Sequence, residues 1–123
     1  MPRIVHLEDD GPLCELTRTA LEFTAPHVEL VQYKNSDKLL AYIKANHREV
    51  DGYIFDIRVI GTMTGFELAQ RMRKAGIATP IVLTSAYLKP PRDEMEKYNL
   101  EWLAKPANLF DLQKWVLKHA RKS

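Results

Sequence analysis

Short apolar runs alternate along the chain with segments in which apolar residues recur at helical spacing. This alternation is typical of a parallel β-sheet covered by helices on both faces, and it predicts a doubly wound α/β fold. The mixed polarity of residues 28–33 predicts an edge strand, whereas the continuous apolar run 81–83 predicts a central strand buried on both faces. In all, five strands are predicted, at residues 3–7, 28–33, 52–55, 81–83 and 102–104.

Capping residues mark the starts of the predicted helices. Thr64 and Glu67 have the spacing of a capping box. Pro90 and Pro91 disfavour helix in the residues around them, so the fourth helix is predicted to be short, within 92–98. The N-caps of the other three helices are predicted to be Asp10, Ser36 and Asn108. In the first helix, apolar or small residues at helical spacing predict the buried face: Leu13, Leu16, Thr17, Ala20 and Leu21.

Length and composition limit the classes of protein to which this chain can belong. The 123 residues, 46% of them hydrophobic, are expected to form one ordinary domain. A formal net charge of +2 argues neither for nor against nucleic-acid binding. The single cysteine, Cys14, excludes an internal disulfide, and no apolar run approaches the ~20 residues of a membrane span. We therefore expect a soluble cytoplasmic protein.

Polar side chains follow four of the five predicted strands at the point where each strand ends. Glu8 and Asp9 follow the first strand, Asp56 the third, Thr84 the fourth and Lys105 the fifth. Because ligands of open α/β sheets bind beyond the carboxyl ends of the strands, we expect these side chains to share one site. Three clustered carboxylates repel one another unless a cation lies among them, and hard oxygen ligands suit Mg²⁺. The sequence therefore predicts a magnesium site suited to phosphoryl chemistry.

These residues and their order resemble the response-regulator receiver domain, the phosphoacceptor module of two-component signalling. The resemblance covers essentially the whole chain and depends on four motifs, which here are Leu7-Glu8-Asp9-Asp10, Phe55-Asp56, Leu83-Thr84-Ser85-Ala86 and Ala104-Lys105-Pro106. It implies a flavodoxin-like fold over residues 1–123, with a five-stranded parallel sheet in the order 2-1-3-4-5 and helices on both faces.

The resemblance also implies a role for each site residue. Asp56 would be the nucleophile that accepts the phosphoryl group. Lys105 would pair with Asp56 before the reaction and with the phosphoryl oxygens after it, and Thr84 would donate a hydroxyl hydrogen bond to them. Mg²⁺ would be held by Glu8, Asp9, Asp56 and the backbone carbonyl of Arg58. Asp10 stays outside this set because helix capping explains it.

Three features depart from the family pattern. Trp102 occupies the place of the switch aromatic, usually Tyr or Phe, which turns inward when the hydroxyl of Thr84 moves. Gly65 follows Asp56 by nine positions instead of eight, and Ile60 replaces the usual proline. The loop 58–64 is therefore expected to be longer and less rigid.

Two functional hypotheses follow from the resemblance. The first is a stand-alone receiver, not an enzyme in its own right, that accepts phosphate from a histidine kinase or a histidine phosphotransfer protein. It would then bind a downstream protein, or form a homodimer, through its fourth helix, fifth strand and fifth helix, without contacting nucleic acid or membrane. The alternative is a non-phosphorylated interaction module frozen by the changes in the loop and at Trp102. A flavin-binding domain of similar topology is disfavoured because no Ser/Thr/Gly phosphate loop follows the first strand.

Overall fold

The computed structural model describes residues 1–86, 89–105 and 109–120, and it contains a five-stranded sheet in the order β2-β1-β3-β4-β5. All four strand pairs are parallel. The strands are β1 (Arg3–Leu7), β2 (Glu29–Tyr33), β3 (Gly52–Asp56), β4 (Ile81–Ser85) and β5 (Glu101–Ala104). The helices are α1 (Gly11–Thr24), α2 (Ser36–Asn46), α3 (Gly65–Lys74), α4 (Arg92–Lys97) and α5 (Leu109–His119), with a 3-10 turn at His47–Glu49. The predicted flavodoxin-like fold and strand order are confirmed.

Two apolar cores lie on opposite faces of the sheet, because successive side chains of a strand point to opposite sides. One face carries α1 and α5, which pack on Ile4, Ile54 and Val82. The other face carries α2, α3 and α4 on neighbouring strand residues such as Val5 and Leu83. All five residues of β4 are buried, and β2 is a half-buried edge strand, as the sequence predicted.

The helix starts follow the predicted capping chemistry, with one correction. The Asp10 carboxylate accepts a hydrogen bond from the amide of Leu13, and Thr64 and Glu67 form the reciprocal capping box. The prediction that Ser36 caps α2 is wrong, because the Asn35 side chain accepts from the amides of residues 37 and 38. Ser36 is instead the first residue of the helix and is fully buried. The predicted Asn108 cap lies outside the described residues.

The buried face of α1 is rotated from the predicted stripe. Cys14, Thr17 and Leu21 face the sheet, whereas Leu16 is 50% exposed. Cys14 is held there because its thiol donates a hydrogen bond to the carbonyl of Glu8 at 3.2 Å. This rotation leaves the Leu16 side chain in solvent.

Arg73, at the end of α3, connects two turns by hydrogen bonds. Both turns lie where strands begin, away from the carboxyl ends of the strands. Its guanidinium donates hydrogen bonds to the carbonyls of Ile77 and Thr79, both at 2.8 Å, in the connection to β4. It also donates to the carbonyls of Tyr98 at 2.7 Å and Asn99 at 3.1 Å, just after α4. The end of α4 is therefore fixed to the end of α3. Among the described residues, no helix is long and apolar enough to cross a membrane.

Candidate functional site

The strand register brings the predicted site residues to one edge of the sheet. Asp56 lies directly across from Thr84 in the β3–β4 pair. Lys105 follows β5, and its amide donates a hydrogen bond to the carbonyl of Ser85 at 3.1 Å. Glu8 follows Leu7, the last residue of β1, and Leu7 pairs with Phe55, the residue before Asp56 in β3. Since all these strands are parallel, their carboxyl ends meet, as the sequence predicted.

Lys105 lies between two buried carboxylates. Its ammonium nitrogen is 2.5 Å from Glu8 Oε1 and 2.9 Å from Asp56 Oδ2. The side chains of Glu8 and Asp56 are only 2% and 8% exposed, so neither ion pair is strongly screened by solvent. One cation is thus shared by two acids, which leaves the buried part of the site with a net negative charge.

The pKa values reflect this shared cation. Burial, together with the charge of Asp56, raises the pKa of Glu8 to about 7 although Lys105 opposes the shift. Burial alone would lower the pKa of Lys105, but its hydrogen bonds to Glu8 and Asp56 and the charges of these acids outweigh burial and raise it. The arrangement therefore stabilises a charged lysine and leaves the acids incompletely neutralised.

The carboxylates fit a divalent cation. Glu8, Asp9 and Asp56 each offer an oxygen, and the three oxygens lie within 4.8 Å of one another. Asp9 is the most exposed of the three, which gives water or a ligand access to the site. Hard oxygen donors of this kind suit Mg²⁺, which keeps several waters when it binds proteins. The Asp10 carboxylate accepts a hydrogen bond from the amide of Leu13 at the N-terminus of α1, in agreement with its exclusion from the predicted ligand set.

Thr84 and Trp102 lie on neighbouring strands, one position out of register. Thr84 is 4% exposed, and Trp102 pairs with the preceding residue, Leu83. The half-buried Trp102 ring packs against the core beneath α4. It also lines an open groove of about 540 Å³ with Lys89 and Met95. The role of Trp102 as a switch stays a prediction.

The loop between β3 and α3 is attached to the start of α2. The Asp37 carboxylate accepts hydrogen bonds from the Thr62 amide at 2.9 Å and the Thr62 hydroxyl at 2.6 Å. The Ser36 amide donates to the carbonyl of Ile60 at 2.8 Å, and the Ser36 hydroxyl accepts from the amide of Met63 at 3.3 Å. These contacts attach residues 60–63 to α2, and the expectation of a less rigid loop stays a prediction.

Glycine is required at one point of this loop and at the start of α3. Gly61 has φ +123°, and a Cβ there would lie 2.3 Å from the Ser36 hydroxyl oxygen. At Gly65 a Cβ would lie 2.1 Å from the carbonyl oxygen of Asp56. The amide of Gly65 donates to the carbonyl of Ile57 at 2.9 Å, which brings α3 against the backbone next to Asp56.

Sequence reasoning did not identify the supporting residues Ser36, Asp37, Thr62 and Gly65. The signal for Gly65 was present, because a glycine directly after a helix N-cap disfavours the helix unless close packing requires it. The Asp37 contact joins residues 25 positions apart between two exposed segments, and no local pattern predicts such a pair. The backbone of Arg58 does lie at the site, since its amide is 3.4 Å from Asp56 Oδ1.

Comparison with solved structures shows what this fold is similar to. The receiver domain of the Francisella response regulator 1452 has a TM-score of 0.84 at 21% identity, over 98% of this chain and 97% of that one. The Vibrio cholerae chemotaxis protein CheY4 has a TM-score of 0.79 at 22% identity, over 97% and 98% of the two chains. A CheY-like receiver domain from Methanospirillum hungatei has a TM-score of 0.80 at 22% identity, over 96% and 92%. No family model and no curated protein sequence matches the chain.

The chain has the fold of response-regulator receiver domains, over nearly its full length. The acidic cluster of Glu8, Asp9 and Asp56 fits the receiver site of that fold.

Proposed function

We propose that residues 1–123 form a phosphoacceptor receiver domain in which Asp56 accepts a phosphoryl group. The observation that carries this proposal is the buried lysine shared by two carboxylates: Lys105 contacts Asp56 Oδ2 and Glu8 Oε1 at the open edge of the sheet. A purely structural module has no need for two buried acids around one cation, because such an arrangement costs more desolvation than it returns. The same arrangement argues against the alternative of a frozen interaction module.

The proposed reaction is an in-line transfer to the Asp56 carboxylate. Asp56 Oδ2 accepts a hydrogen bond from Lys105 at 2.9 Å, whereas Oδ1 lies at the longer distance of 3.4 Å from the amide of Arg58. Oδ1, the less tightly held oxygen of the two in these contacts, would attack phosphorus. With a phosphohistidine donor, the P–N bond breaks as the O–P bond forms, the imidazole leaves, and Asp56 becomes an aspartyl phosphate.

The neighbouring side chains would stabilise the charge that develops during transfer. Lys105 donates to Glu8 and Asp56 and has one further N–H group that it can extend to the phosphoryl oxygens. Thr84, across from Asp56, would donate its hydroxyl to the same group. Glu8, Asp9, Asp56 and the backbone carbonyl of Arg58 would hold Mg²⁺, which when bound offsets phosphoryl charge.

The donor in this proposal is a histidine kinase or a histidine phosphotransfer protein, which places the chain in the cytoplasm. The output would be altered binding of a downstream protein through α4, β5 and α5, with Thr84 and Trp102 as the switch. Two features support this output surface: the groove beside Trp102, and the short helix α4, whose six residues bury only Met95. Elements with few buried contacts are the ones most free to rearrange.

Labelling with acetyl phosphate tests the proposal. We expect intact mass spectrometry to show one phosphoryl adduct in the presence of Mg²⁺, acid-stable and alkali-labile, and little adduct in chelator. Asp56→Asn should abolish the adduct. Asp51→Asn, which changes an exposed carboxylate just before β3, should label like the wild type.

Two results would contradict the assignment of Asp56. Equal labelling of wild type and Asp56→Asn would place the phosphoryl group elsewhere. A wild-type chain that takes up no phosphoryl group from acetyl phosphate or from any kinase would leave the interaction module as the better description.

A further inference from the structure

Four large apolar side chains lie exposed on the outer surface of α1 and α5. The exposed fractions are 50% for Leu16, 89% for Phe23, 59% for Phe110 and 43% for Leu117. Leu16 and Phe23 are seven residues apart on α1, and Phe110 and Leu117 are seven apart on α5, so each pair forms a stripe along its helix. We call these four residues the α1–α5 patch. Clustered exposed apolar side chains of this kind mark interaction sites.

The two stripes lie side by side and at the same level along the axes of α1 and α5. The Gln113 side chain donates to the carbonyl of Ala20 at 3.2 Å, and the His27 ring lies 3.1 Å from the carbonyl of Ala120. Both contacts join residues 93 positions apart, so a residue of α1 lies level with the α5 residue 93 positions later. Leu16 is thus level with residue 109, next to Phe110. Phe23 is level with residue 116, next to Leu117.

Charged residues flank the patch with opposite sign on its two sides. At about 100° per residue, Glu15 and Glu22 lie on the flank of α1 that faces away from α5. Lys114 and Lys118 lie on the flank of α5 that faces away from α1, and Asp111 lies on the same flank near the start of the helix. Arg18 lies closer to the sheet, where it donates to the side chain of Gln32. With two acids and Arg18, the α1 rim has a net negative charge; with two lysines and Asp111, the α5 rim has a net positive charge.

We infer that the α1–α5 patch binds a second copy of this chain, with α1 of each protomer lying against α5 of its partner. Oligomers of one chain are most often two-fold dimers with self-complementary surfaces. A two-fold axis parallel to the helices places α1 of one protomer opposite α5 of its partner and leaves the position of each residue along the helix axis unchanged. Glu22 of one protomer then lies opposite the side of the partner's α5 that carries Lys114 and Lys118. An axis across the helices would instead place the acidic rim of α1 against its own copy. Charge complementarity selects the first arrangement.

The size of the patch indicates a weak dimer. Helices of 14 and 11 residues, together about two helix diameters wide, give a footprint of roughly 400 Å² per copy. Stable complexes bury roughly 800 Å² per partner. The dimer should therefore form in a concentration-dependent way in the unphosphorylated, metal-free chain, independently of whether Asp56 accepts phosphate.

Sedimentation of the full chain at low salt, from about 10 µM to about 1 mM, tests the inference. We expect the wild type to move from monomer to dimer over this range. Phe23→Asp and Leu117→Asp should each raise the dissociation constant at least tenfold. Arg92→Glu serves as the matched control, because this exposed charge lies on α4, on the opposite face of the sheet. It should leave the dissociation constant unchanged.

Charge reversal tests the pairing of α1 with α5. Glu22→Lys alone and Lys114→Glu alone should each weaken association, since each places like charges across the interface. An equimolar mixture of the two variants should associate again, because both contacts of the mixed dimer then have opposite charges. A mixture no stronger than either variant would overturn this pairing. A wild type that stays monomeric, a Phe23→Asp variant that dimerises normally, or an Arg92→Glu variant as weak as Phe23→Asp would overturn the proposed interface.

Discussion

At the scale of single residues, the site depends on how closely backbone and side chains approach Asp56. Gly65 leaves room for the Asp56 carbonyl where a Cβ would lie 2.1 Å from its oxygen. His6 is buried beneath the site, with its Nδ1 3.1 Å from the amide nitrogen of the Gln32 side chain. Neither residue takes part in the proposed chemistry, and both constrain the residues that do.

Gly65→Ala should destabilise the fold by about 1 to 3 kcal/mol, the usual cost of overpacking, because the added methyl group must displace α3 from the backbone of Asp56. Gly11→Ala is the matched control, since Gly11 is also the first residue of a helix. A Cβ at Gly11 would meet only the Lys34 side-chain nitrogen, at 3.7 Å. Urea denaturation measures both. Equal midpoints for the two variants would contradict the close approach described at Gly65.

His6 should make stability fall with decreasing pH. Burial lowers the pKa of His6 to about 4, helped by the charges of Lys105 and Arg18. The unfolded chain therefore binds a proton at higher pH than the folded chain does, so stability is greatest above pH 6.5 and is lost as the pH falls from there toward 4. A shift from 6.5 to about 4 corresponds to roughly 3 kcal/mol.

The measurement is the free energy of unfolding between pH 7.5 and 4.5 (roughly one unit above and two units below the ordinary histidine pKa) for wild type and His6→Gln. The difference between the two proteins should shrink toward low pH. Parallel curves would show that His6 is not held neutral by the fold.

At the scale of elements, the β3–α3 loop and α2 act as one unit. Asp37 binds both the amide and the hydroxyl of Thr62, and these hydrogen bonds lower the pKa of Asp37. An isolated parallel bridge between Asn35 and Ile60 extends the attachment. The loop that would supply the Arg58 carbonyl to a metal is thus positioned by its contacts with the start of α2.

Asp37→Ala should release this loop without unfolding the domain. We expect the amides of residues 62 and 63 to exchange hydrogen faster, while amides of β3 keep their protection. Lys38→Ala, at the next position of α2, should leave exchange in the loop unchanged. The attachment would be disproved by identical exchange at residues 62 and 63 in Asp37→Ala and wild type.

The elements could be predicted from sequence because their signals are local. Apolar runs, the capping box at Thr64 and the proline pair at 90 and 91 each act within a few residues, and strand order followed from the family resemblance. The clustering of the candidate site residues could be predicted because strand ends converge in a parallel sheet. The rotation of α1 and the Asp37 contact were missed because each depends on packing between distant segments. The Asn35 cap is local, and it was missed because Asn35 and Ser36 are both of residue types that cap helices well.

At the scale of the whole molecule, charge balance in the site contributes to global stability. Lys105 neutralises one of the two buried acids, Glu8 and Asp56, and Asp9 adds a third negative charge nearby. A bound cation stabilises only the folded state, which gathers the three carboxylates. Metal content and stability should therefore be coupled.

Mg²⁺ should raise the melting temperature of the wild type at neutral pH, and chelator should remove this gain. In chelator, Asp9→Ala and Asp56→Ala should each be more stable than the wild type by about 1 kcal/mol, because each relieves repulsion at a strained site. Neither variant should gain as much from Mg²⁺. Calorimetry with and without metal measures both effects, and two variants that melt below wild type in chelator would refute the repulsion.

The guanidinium of Arg73 has a consequence for how the molecule can move. It fastens the carbonyls of Tyr98 and Asn99 to the turn before β4, so the trailing end of α4 has a fixed anchor. The leading end, at Arg92, has no side-chain cap. A helix fixed at one end can move only by tilting about that end, and the displacement of a residue grows with its distance from the fixed end. Any tilt of α4 therefore pivots at Arg73 and is largest near the strand ends that carry Asp56 and Thr84.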